Sequence, residues 1–344
     1  MKLILETLQG KKTDKVPIWY MRQAGRYLPE YLELRKGKTF EDMVQNPDIA
    51  CEITLQPIKR FNLDAAIIFS DILIPIYALN RGLVIKPAVG PVIEKPVKTE
   101  QDIDDLQPIN AKEDFPYLAE SIVKTKKLLP SSITMIGFSG APYTVASYLI
   151  EGKSTRDGLK TKSFAYKHPG LYKKLLDFIA DTLILQLEAE VKAGAEVIQI
   201  FDSWAHTLSS PQYQDFALPY TKKILSSPKL QGVPKIHFAQ GSGHLFDQFL
   251  RTGADCLSID NSGDMVKIVE KTPNSIGLQG NLDPAILFTD PKIVEKEVSD
   301  LLRIVESKKK YIFNLGRGID KDTPLDNVST MVSTVKNYSK LDDM

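Results

Sequence analysis

Two arginines near the start of the chain are well suited to binding chemistry. They are Arg22 and Arg26, in the stretch MRQAGRYLPEY at residues 21–31. A guanidinium presents a planar fork of donors that matches carboxylates and phosphates. Two guanidiniums four residues apart, with backbone amides between them, predict an anion-binding loop. The alternative is a pair of solvated surface arginines beside the end of a strand.

A carboxylate occupies a second position suited to chemistry. Asp71 follows the apolar run AAIIF at residues 65–69 and has apolar residues on both sides. Because burying an unpaired charge is costly, this carboxylate must have partners. The pattern leaves two possibilities open: Asp71 acts on a ligand, or it only forms a salt bridge with Arg22 or Arg26.

Eight short apolar runs must position these residues. Continuous apolar runs are typical of strands buried on both faces of a parallel sheet. Amphipathic segments lie between many of them, and residues 171–192 carry apolar side chains at helical spacing. Eight strands alternating with helices predict an α/β fold, a (β/α)8 TIM barrel, with an open α/β sheet as the alternative. The predicted strands are residues 16–20, 65–69, 133–138, 196–201, 234–238, 256–259, 275–278 and 311–315.

The organisation of the chain favours one domain over residues 1–344. No repeat, low-complexity segment or shift in composition marks a boundary. The spacing of the strands is uneven at one place, where residues 73–105 combine several prolines with β-branched residues. This pattern predicts an extended insert at about 73–105.

Composition narrows the class of protein. The 344 residues are 43% hydrophobic and 25% charged, with a net charge of +1. That balance argues against nucleic acid or an anionic membrane surface as the main partner. The two cysteines, Cys51 and Cys256, suit small core residues in a reducing compartment. Since no stretch approaches the roughly 18 apolar residues of a membrane span, we expect a soluble cytoplasmic protein.

In a barrel of this kind, chemistry takes place at the carboxyl ends of the strands. Several residues there have plain structural interpretations. Asp283 before Pro284 is typical of a helix N-cap, and His237, inside an apolar run, is typical of a core histidine with satisfied ring nitrogens. Phe201 and Trp204 suit a cleft wall or the core.

Four stretches resemble the uroporphyrinogen decarboxylase family. They are residues 21–31, FSDIL at 69–73, GFSGAPYT at 137–144 with the continuation to Tyr148, and FNLG at 313–316. The matches follow the order of the family over nearly the whole chain. The resemblance implies a single-domain (β/α)8 barrel, commonly a homodimer, in haem and tetrapyrrole biosynthesis. It implies a carboxy-lyase that needs no metal or organic cofactor and converts the four acetates of uroporphyrinogen III to methyls, giving coproporphyrinogen III.

The resemblance also assigns roles to individual residues. It implies catalytic roles for Asp71 and Arg22. The same two residues and seven others are expected to bind the substrate: Gln23, Ala24, Arg26, Tyr148, Phe201, Ser203 and Arg317.

One position departs from the family pattern. The family usually has a histidine between the two glycines after the eighth strand, and this chain has Arg317 there. An arginine can still bind a carboxylate, but it is a poor proton donor. The departure favours a second interpretation, a tetrapyrrole-binding barrel with reduced or lost catalysis.

A zinc-dependent methyltransferase on a related barrel is an enzymatic alternative. Such proteins hold the metal through a His-x-Cys pair on the fifth strand. The fifth strand here reads His237-Phe238-Ala239, so the thiolate is missing.

Overall fold

The computed structural model describes residues 2–86, 89–241 and 243–338. The strands in chain order are β1 (Ala65–Ile67), β2 (Leu83–Lys86), β3 (Gly90–Ile93), β4 (Thr134–Gly140), β5 (Val197–Asp202), β6 (Lys235–Ala239), β7 (Cys256–Ser258), β8 (Gly277–Gln279) and β9 (Tyr311–Ile312).

Seven of these strands form one parallel sheet. Their order is β1-β4-β5-β6-β7-β8-β9, and each neighbouring pair is parallel. All seven residues of β4 are buried, as continuous apolar runs predict for a sheet covered on both faces. Seven of the eight predicted strands are therefore confirmed, with ends that differ by a few residues, and the fold is α/β.

The predicted strand at residues 16–20 is wrong. Ile18 forms only an isolated parallel bridge with Phe313. On the other side, the backbone N–H of Asp64 donates to the carbonyl of Ile18 at 2.9 Å. The N–H of Ile18 donates instead to the carboxylate of Asp64, at 2.8 Å. Because this side chain takes the place of a backbone acceptor, no ladder forms between this segment and β1.

The sheet is strongly curled. The amide Nε2 of Gln279 on β8 donates to Oε1 of Gln199 on β5 at 3.0 Å, and both side chains are fully buried. In a flat sheet, strands separated by two others would lie about 14 Å apart. Gln279 also accepts a hydrogen bond from the indole N–H of Trp19 at 2.9 Å. Side chains from the 17–19 segment and from distant strands thus meet inside the curl.

Helices cover the convex face of the sheet and fill most gaps between strands. The longest, α11, coincides with the helix predicted at residues 171–192. The helices are α1 (Leu3–Leu8), α2 (Pro29–Arg35), α3 (Phe40–Val44), α4 (Pro47–Phe61), α5 (Ile74–Ala78), α6 (Glu100–Asp104), α7 (Ala111–Asp114), α8 (Pro116–Leu128), α9 (Pro142–Glu151), α10 (Leu159–Lys167), α11 (Pro169–Ala193), α12 (Ser210–Phe216), α13 (Leu218–Leu225), α14 (Phe246–Phe249), α15 (Met265–Lys271), α16 (Pro291–Ile304) and α17 (Leu325–Asn337).

The segment at 73–105 holds α5, the antiparallel hairpin β2–β3 and α6. The hairpin lies against two other elements. The N–H of Ile85 donates to the carboxylate of Glu41 on α3 at 3.0 Å, and the N–H of Ile93 donates to the carbonyl of Gly152 at 2.7 Å. Pro87 and Ala88 of this segment lie outside the described residues.

In the described ranges, none of the helices combines the length and apolar composition that a membrane span requires.

Candidate active site

The loop that carries Arg22 is fixed by backbone contacts on both sides. The N–H of Met21 donates to Oδ1 of Asn314 at 3.1 Å, and the N–H of Ile319 donates to the carbonyl of Met21 at 3.0 Å. Arg22 itself has a φ of 61°, in the left-handed region that residues other than glycine rarely adopt. Strained backbone of this kind persists only where the surroundings impose it, and it concentrates at functional sites.

The side chain of Arg22 lies along the backbone of Gly318. A Cβ atom added to Gly318 would lie 2.5 Å from Cδ of Arg22 and 2.9 Å from its Cγ. Any residue other than glycine at 318 would therefore displace the arginine. The loop after β9 and the loop before α2 are thus fitted to each other at this point.

Arg22 and Arg26 are both exposed. Neither guanidinium has a hydrogen-bond or ion-pair partner within the described part of the chain. Their charges act on different neighbours. The charge of Arg22 lowers the pKa values of Asp71 and Tyr148, whereas that of Arg26 lowers the pKa of Tyr31 on α2. The two arginines therefore serve different parts of this surface.

Gln23 and Ala24 lie below that surface. The side chain of Gln23 is fully buried, its Nε2 donates to the carbonyl of Ala65 at 3.0 Å, and its Oε1 accepts from the N–H of Tyr20. Ala24 is partly buried and packs on the core. In this structure the amide of Gln23 holds the loop to β1, and its predicted contact with substrate stays a prediction.

Asp71 follows β1 and is half-buried. Its Oδ1 accepts the N–H of Leu73 at 2.7 Å. Burial raises the pKa of this carboxyl; the hydrogen bond from Leu73 and the charge of Arg22 oppose that rise, and Glu41 adds to it. Among the described residues nothing donates a hydrogen bond to Oδ2, so this oxygen remains able to accept one from a ligand.

Three tyrosines lie close enough to Asp71 for its charge to affect their pKa values. Burial is the first cause of the raised pKa of each, and the negative charge of Asp71 contributes as well. The pKa rises to about 12 for Tyr117 and for Tyr148. These phenols therefore stay neutral and can donate hydrogen bonds at any ordinary pH. Tyr77 is the third, and Glu41 also raises its pKa.

Aromatic side chains cluster around the end of β5, where the sequence predicts a cleft wall. Phe201 makes edge-to-face contacts with Phe138 and Phe238, with ring centroids 5.6 and 5.7 Å apart. The ring of Tyr148 lies 5.6 Å from that of Trp204. Such a wall suits the flat apolar face of an aromatic ligand, because aromatic rings prefer edge-to-face and offset contacts.

Ser203 and Arg317 stand at two further strand ends. Ser203 directly follows β5 and is half-buried. Arg317 is exposed in the loop after β9 and has no partner in the described ranges. Both side chains are available to a ligand, although no contact joins either of them to Asp71.

The structure thus brings Arg22, Asp71 and Tyr148 together, as the sequence predicts. Sequence reasoning missed Tyr77, Tyr117 and Gly318. Tyr77 and Tyr117 lie on α5 and α8, whereas the sequence predicts functional residues at the carboxyl ends of strands. A glycine three residues after a predicted strand carries no signal by itself until its neighbour in space is known.

His237 is a core residue, as predicted, but the expectation of satisfied ring nitrogens is wrong. Both nitrogens lack a hydrogen-bond partner among the described residues. The ring packs 4.8 Å from that of Phe249 and is fully buried, which lowers its pKa to about 3. No group of three or more His, Cys, Asp or Glu side chains in the described ranges is placed to hold a metal ion.

Comparisons with known proteins agree on one family. The family model described as Uroporphyrinogen decarboxylase (URO-D) matches residues 1–338. A uroporphyrinogen decarboxylase of Carboxydothermus hydrogenoformans is 37% identical over 98% of this chain and 96% of its own length. One from Geobacter sulfurreducens is 39% identical over 98% of each chain. A solved methyltransferase from Methanosarcina mazei, 21% identical with a TM-score of 0.80 over 96% of each chain, shares the fold.

Proposed function

The chain belongs to the uroporphyrinogen decarboxylase family, and on that basis we propose how its cleft removes carboxyl groups from uroporphyrinogen. The protein is a carboxy-lyase of tetrapyrrole biosynthesis. In our proposal its substrate is uroporphyrinogen III, whose four acetate arms become methyls to give coproporphyrinogen III.

The observation that carries the proposal is the environment of Asp71. One of its oxygens accepts the N–H of Leu73, the other has no hydrogen-bond donor among the described residues, and the charge of Arg22 acts on the carboxylate. A carboxylate beneath the centre of the macrocycle accepts hydrogen bonds from the pyrrole N–H groups. Its negative charge also stabilises the positive charge that develops on the ring. A well-placed group of this kind is typically worth about 3–4 kcal/mol of transition-state stabilisation.

The chemistry requires an electron sink, and the pyrrole itself supplies one. Protonation of the α carbon of the pyrrole, next to the ring carbon that bears the acetate arm, gives a cationic ring. The bond between the arm and its carboxylate then breaks, CO2 leaves, and the electron pair neutralises the ring and forms an exocyclic methylene. Protonation of the methylene carbon and loss of the ring proton give a methyl group. For each arm the net change is uptake of one proton and release of one CO2.

The guanidiniums hold the carboxylates of the substrate. Uroporphyrinogen is a polyanion, and Arg22, Arg26 and Arg317 present exposed, unpaired donors on the described surface around the cleft. Tyr148 and Ser203 add neutral donors, and Phe201 packs on the macrocycle. Arg22 also lies near Asp71, so it orients the arm undergoing reaction while Asp71 holds the ring.

We further infer the assembly and setting of this enzyme. The 17–19 segment takes the eighth position of a closed (β/α)8 barrel, which is supported by its hydrogen bonds to both edges of the sheet. The chain is a single domain and forms a homodimer. Exposed apolar side chains on α10, Leu159 at 67% and Tyr166 at 64%, support the dimer. The two free, buried cysteines support a cytoplasmic setting.

Anaerobic turnover of uroporphyrinogen by the purified protein tests this function. We expect products that have lost one to four carboxylates, ending in coproporphyrinogen, without added metal. Asp71→Ala, purified in parallel, should bind the porphyrinogen but release CO2 at least a hundredfold more slowly. Tight binding by the wild-type protein without any turnover would instead support the second interpretation, a tetrapyrrole-binding barrel in which Arg317 reflects lost catalysis.

A further inference from the structure

Asp202 lies behind the cleft wall, between two residues that the proposed function places against the substrate. These are Phe201 and Ser203. Because side chains alternate along a strand, Asp202 points away from the cleft toward the helices. Its side chain is fully buried. Nothing in the reaction proposed above uses it.

The hydroxyl of Thr144 connects Asp202 to the cleft wall. Thr144 donates to Oδ1 of Asp202 at 2.7 Å and accepts the backbone N–H of Trp204 at 3.2 Å. Close by, the N–H of Ala141 donates to the carbonyl of Phe201 at 2.8 Å. The start of α9 is thus joined at three points to the end of β5 and the loop that follows it. We name Asp202, Thr144 and the N–H of Trp204 the α9 staple.

The α9 staple determines where two aromatic rings lie. Thr144 and Tyr148 are four residues apart on α9, so they project from the same face of the helix. Tyr148 packs on Trp204 with ring centroids 5.6 Å apart. A rotation of α9 or a shift of the loop would therefore move Tyr148 relative to Asp71.

Stability does not explain the buried carboxylate. Among the described residues its Oδ2 has no hydrogen-bond partner. Its surroundings include Tyr143 on α9, Tyr172 on α11 and Tyr213 on α12, whose pKa values its charge helps to raise. Burying a group of this kind costs free energy, and apolar replacements of buried ionic groups are often neutral or stabilising.

We propose that Asp202, acting through Thr144, is a positioning residue that holds Tyr148 and Trp204 in the geometry that decarboxylation requires. The proposal rests on the proposed function for its kinetic consequence, but its structural part stands alone. The staple holds Tyr148 and Trp204 and contacts none of the arginines assigned to substrate, so its loss should slow turnover without removing the guanidiniums that bind carboxylates.

Two substitutions break the staple at different points. Thr144→Val replaces the hydroxyl with a methyl of similar size, and Asp202→Ala removes the acceptor. Thr144→Ser restores the hydroxyl. Thr125→Val is the matched control, because Thr125 is also fully buried but its hydroxyl donates only within α8, to the carbonyl of Ser121 at 2.7 Å.

The kinetic test compares kcat and KM for uroporphyrinogen under anaerobic conditions. We expect Thr144→Val and Asp202→Ala each to lower kcat by tenfold or more with KM changed less than threefold. The double variant should have a kcat no lower than that of the less active single variant, because both substitutions break the same hydrogen bond. Thr144→Ser should recover kcat to within threefold of wild type, and Thr125→Val should keep it. Wild-type kcat in Thr144→Val would overturn the proposal.

A spectroscopic test does not depend on activity. The chain has two tryptophans, Trp19 and Trp204. Each protein is made with and without Trp204→Phe, and the difference in emission reports Trp204 alone. We expect a red shift and faster acrylamide quenching of Trp204 in Thr144→Val but not in Thr125→Val. An unchanged Trp204 signal would overturn the staple. Failure of the wild-type protein to turn over uroporphyrinogen would instead overturn the proposed function.

Discussion

Strands β1 and β5 both lead into an aspartate, but the two carboxylates lie in opposite settings. Asp71 comes several residues after β1 ends, where the chain has turned into the cleft, and one of its oxygens is free to meet a ligand. Asp202 is the last residue of β5 and keeps the alternation of the strand, so its side chain points toward the helices. In both, burial raises the pKa, to about 7 for Asp202.

A carboxylate at a strand end is therefore not by itself a catalytic group. The side on which the pleat places the residue decides whether it meets the substrate or the scaffold. A nearby cation also matters: Arg22 acts on Asp71, whereas the groups shown to interact with Asp202 are neutral hydroxyls. The comparison therefore predicts that Asp71 governs the rate of the chemical step, whereas Asp202 positions Tyr148 and Trp204 and makes the stability of the fold depend on pH.

The largest expected effect is on Asp71. Asp71→Ala should lower kcat by about 10³-fold, since it removes a preorganised charge beneath the ring. Anaerobic turnover of uroporphyrinogen measures it. Asp247→Ala is the control, because that carboxylate is exposed and pairs only with Lys271 within the described ranges. If Asp71→Ala kept more than a tenth of the activity, Asp71 would not be the central catalytic group.

The next effect concerns the pH dependence of stability at Asp202. Its pKa rises from 3.8 in the unfolded chain to about 7 in the folded protein. The wild-type protein should therefore lose stability as pH rises from about 4 to about 7, because only the unfolded state gives up the proton easily in that range. The loss is on the order of 4 kcal/mol, roughly a thousandfold in the folding equilibrium constant, because each pKa unit is worth about 1.4 kcal/mol.

Asp202→Asn has no such proton to lose, so its stability relative to wild type should improve as pH rises. Urea unfolding at pH 5 and pH 8 measures the change. The stability of Glu190→Gln relative to wild type should likewise improve as pH rises, because burial raises the pKa of Glu190 from 4.5 to about 8. Parallel curves for wild type and Asp202→Asn would show that Asp202 does not titrate in this window.

A smaller effect is expected at Gly318. Gly318→Ala should displace the side chain of Arg22 and lower kcat/KM by about tenfold, because an oriented guanidinium is lost from the Asp71 side of the cleft. Gly170→Ala is the matched control: no atom outside its immediate chain neighbours lies within 4 Å of a Cβ placed there, so its activity should not change. Equal kinetics for the two variants would argue against a precise role for Arg22.

The smallest effect is expected from substitution of Arg317. Arg317→His should leave kcat/KM within about tenfold of wild type if this side chain only binds a carboxylate. The same anaerobic assay measures it. Near-total loss of activity would contradict that role and would indicate that Arg317 takes part in the chemical step.

Much of this molecule follows from local sequence. Seven of the strands follow from continuous apolar runs, and α11 from its periodicity. The cap at Asp283, which accepts the N–H of Ala285 at 2.9 Å, follows from an Asp-Pro pair. The segment at 16–20 does not, because a tertiary contact decides it: the carboxylate of Asp64 takes the N–H that a ladder would use.

The family and most of the parallel sheet can be predicted from the sequence, because motifs and apolar runs consist of neighbouring residues. The tertiary structure is needed to see that Asp202 is buried against the helices, that the charge of Asp71 reaches Tyr77 and Tyr117, and that Gly318 makes room for Arg22. These facts depend on contacts between residues far apart in the chain, which packing fixes and local pattern does not encode.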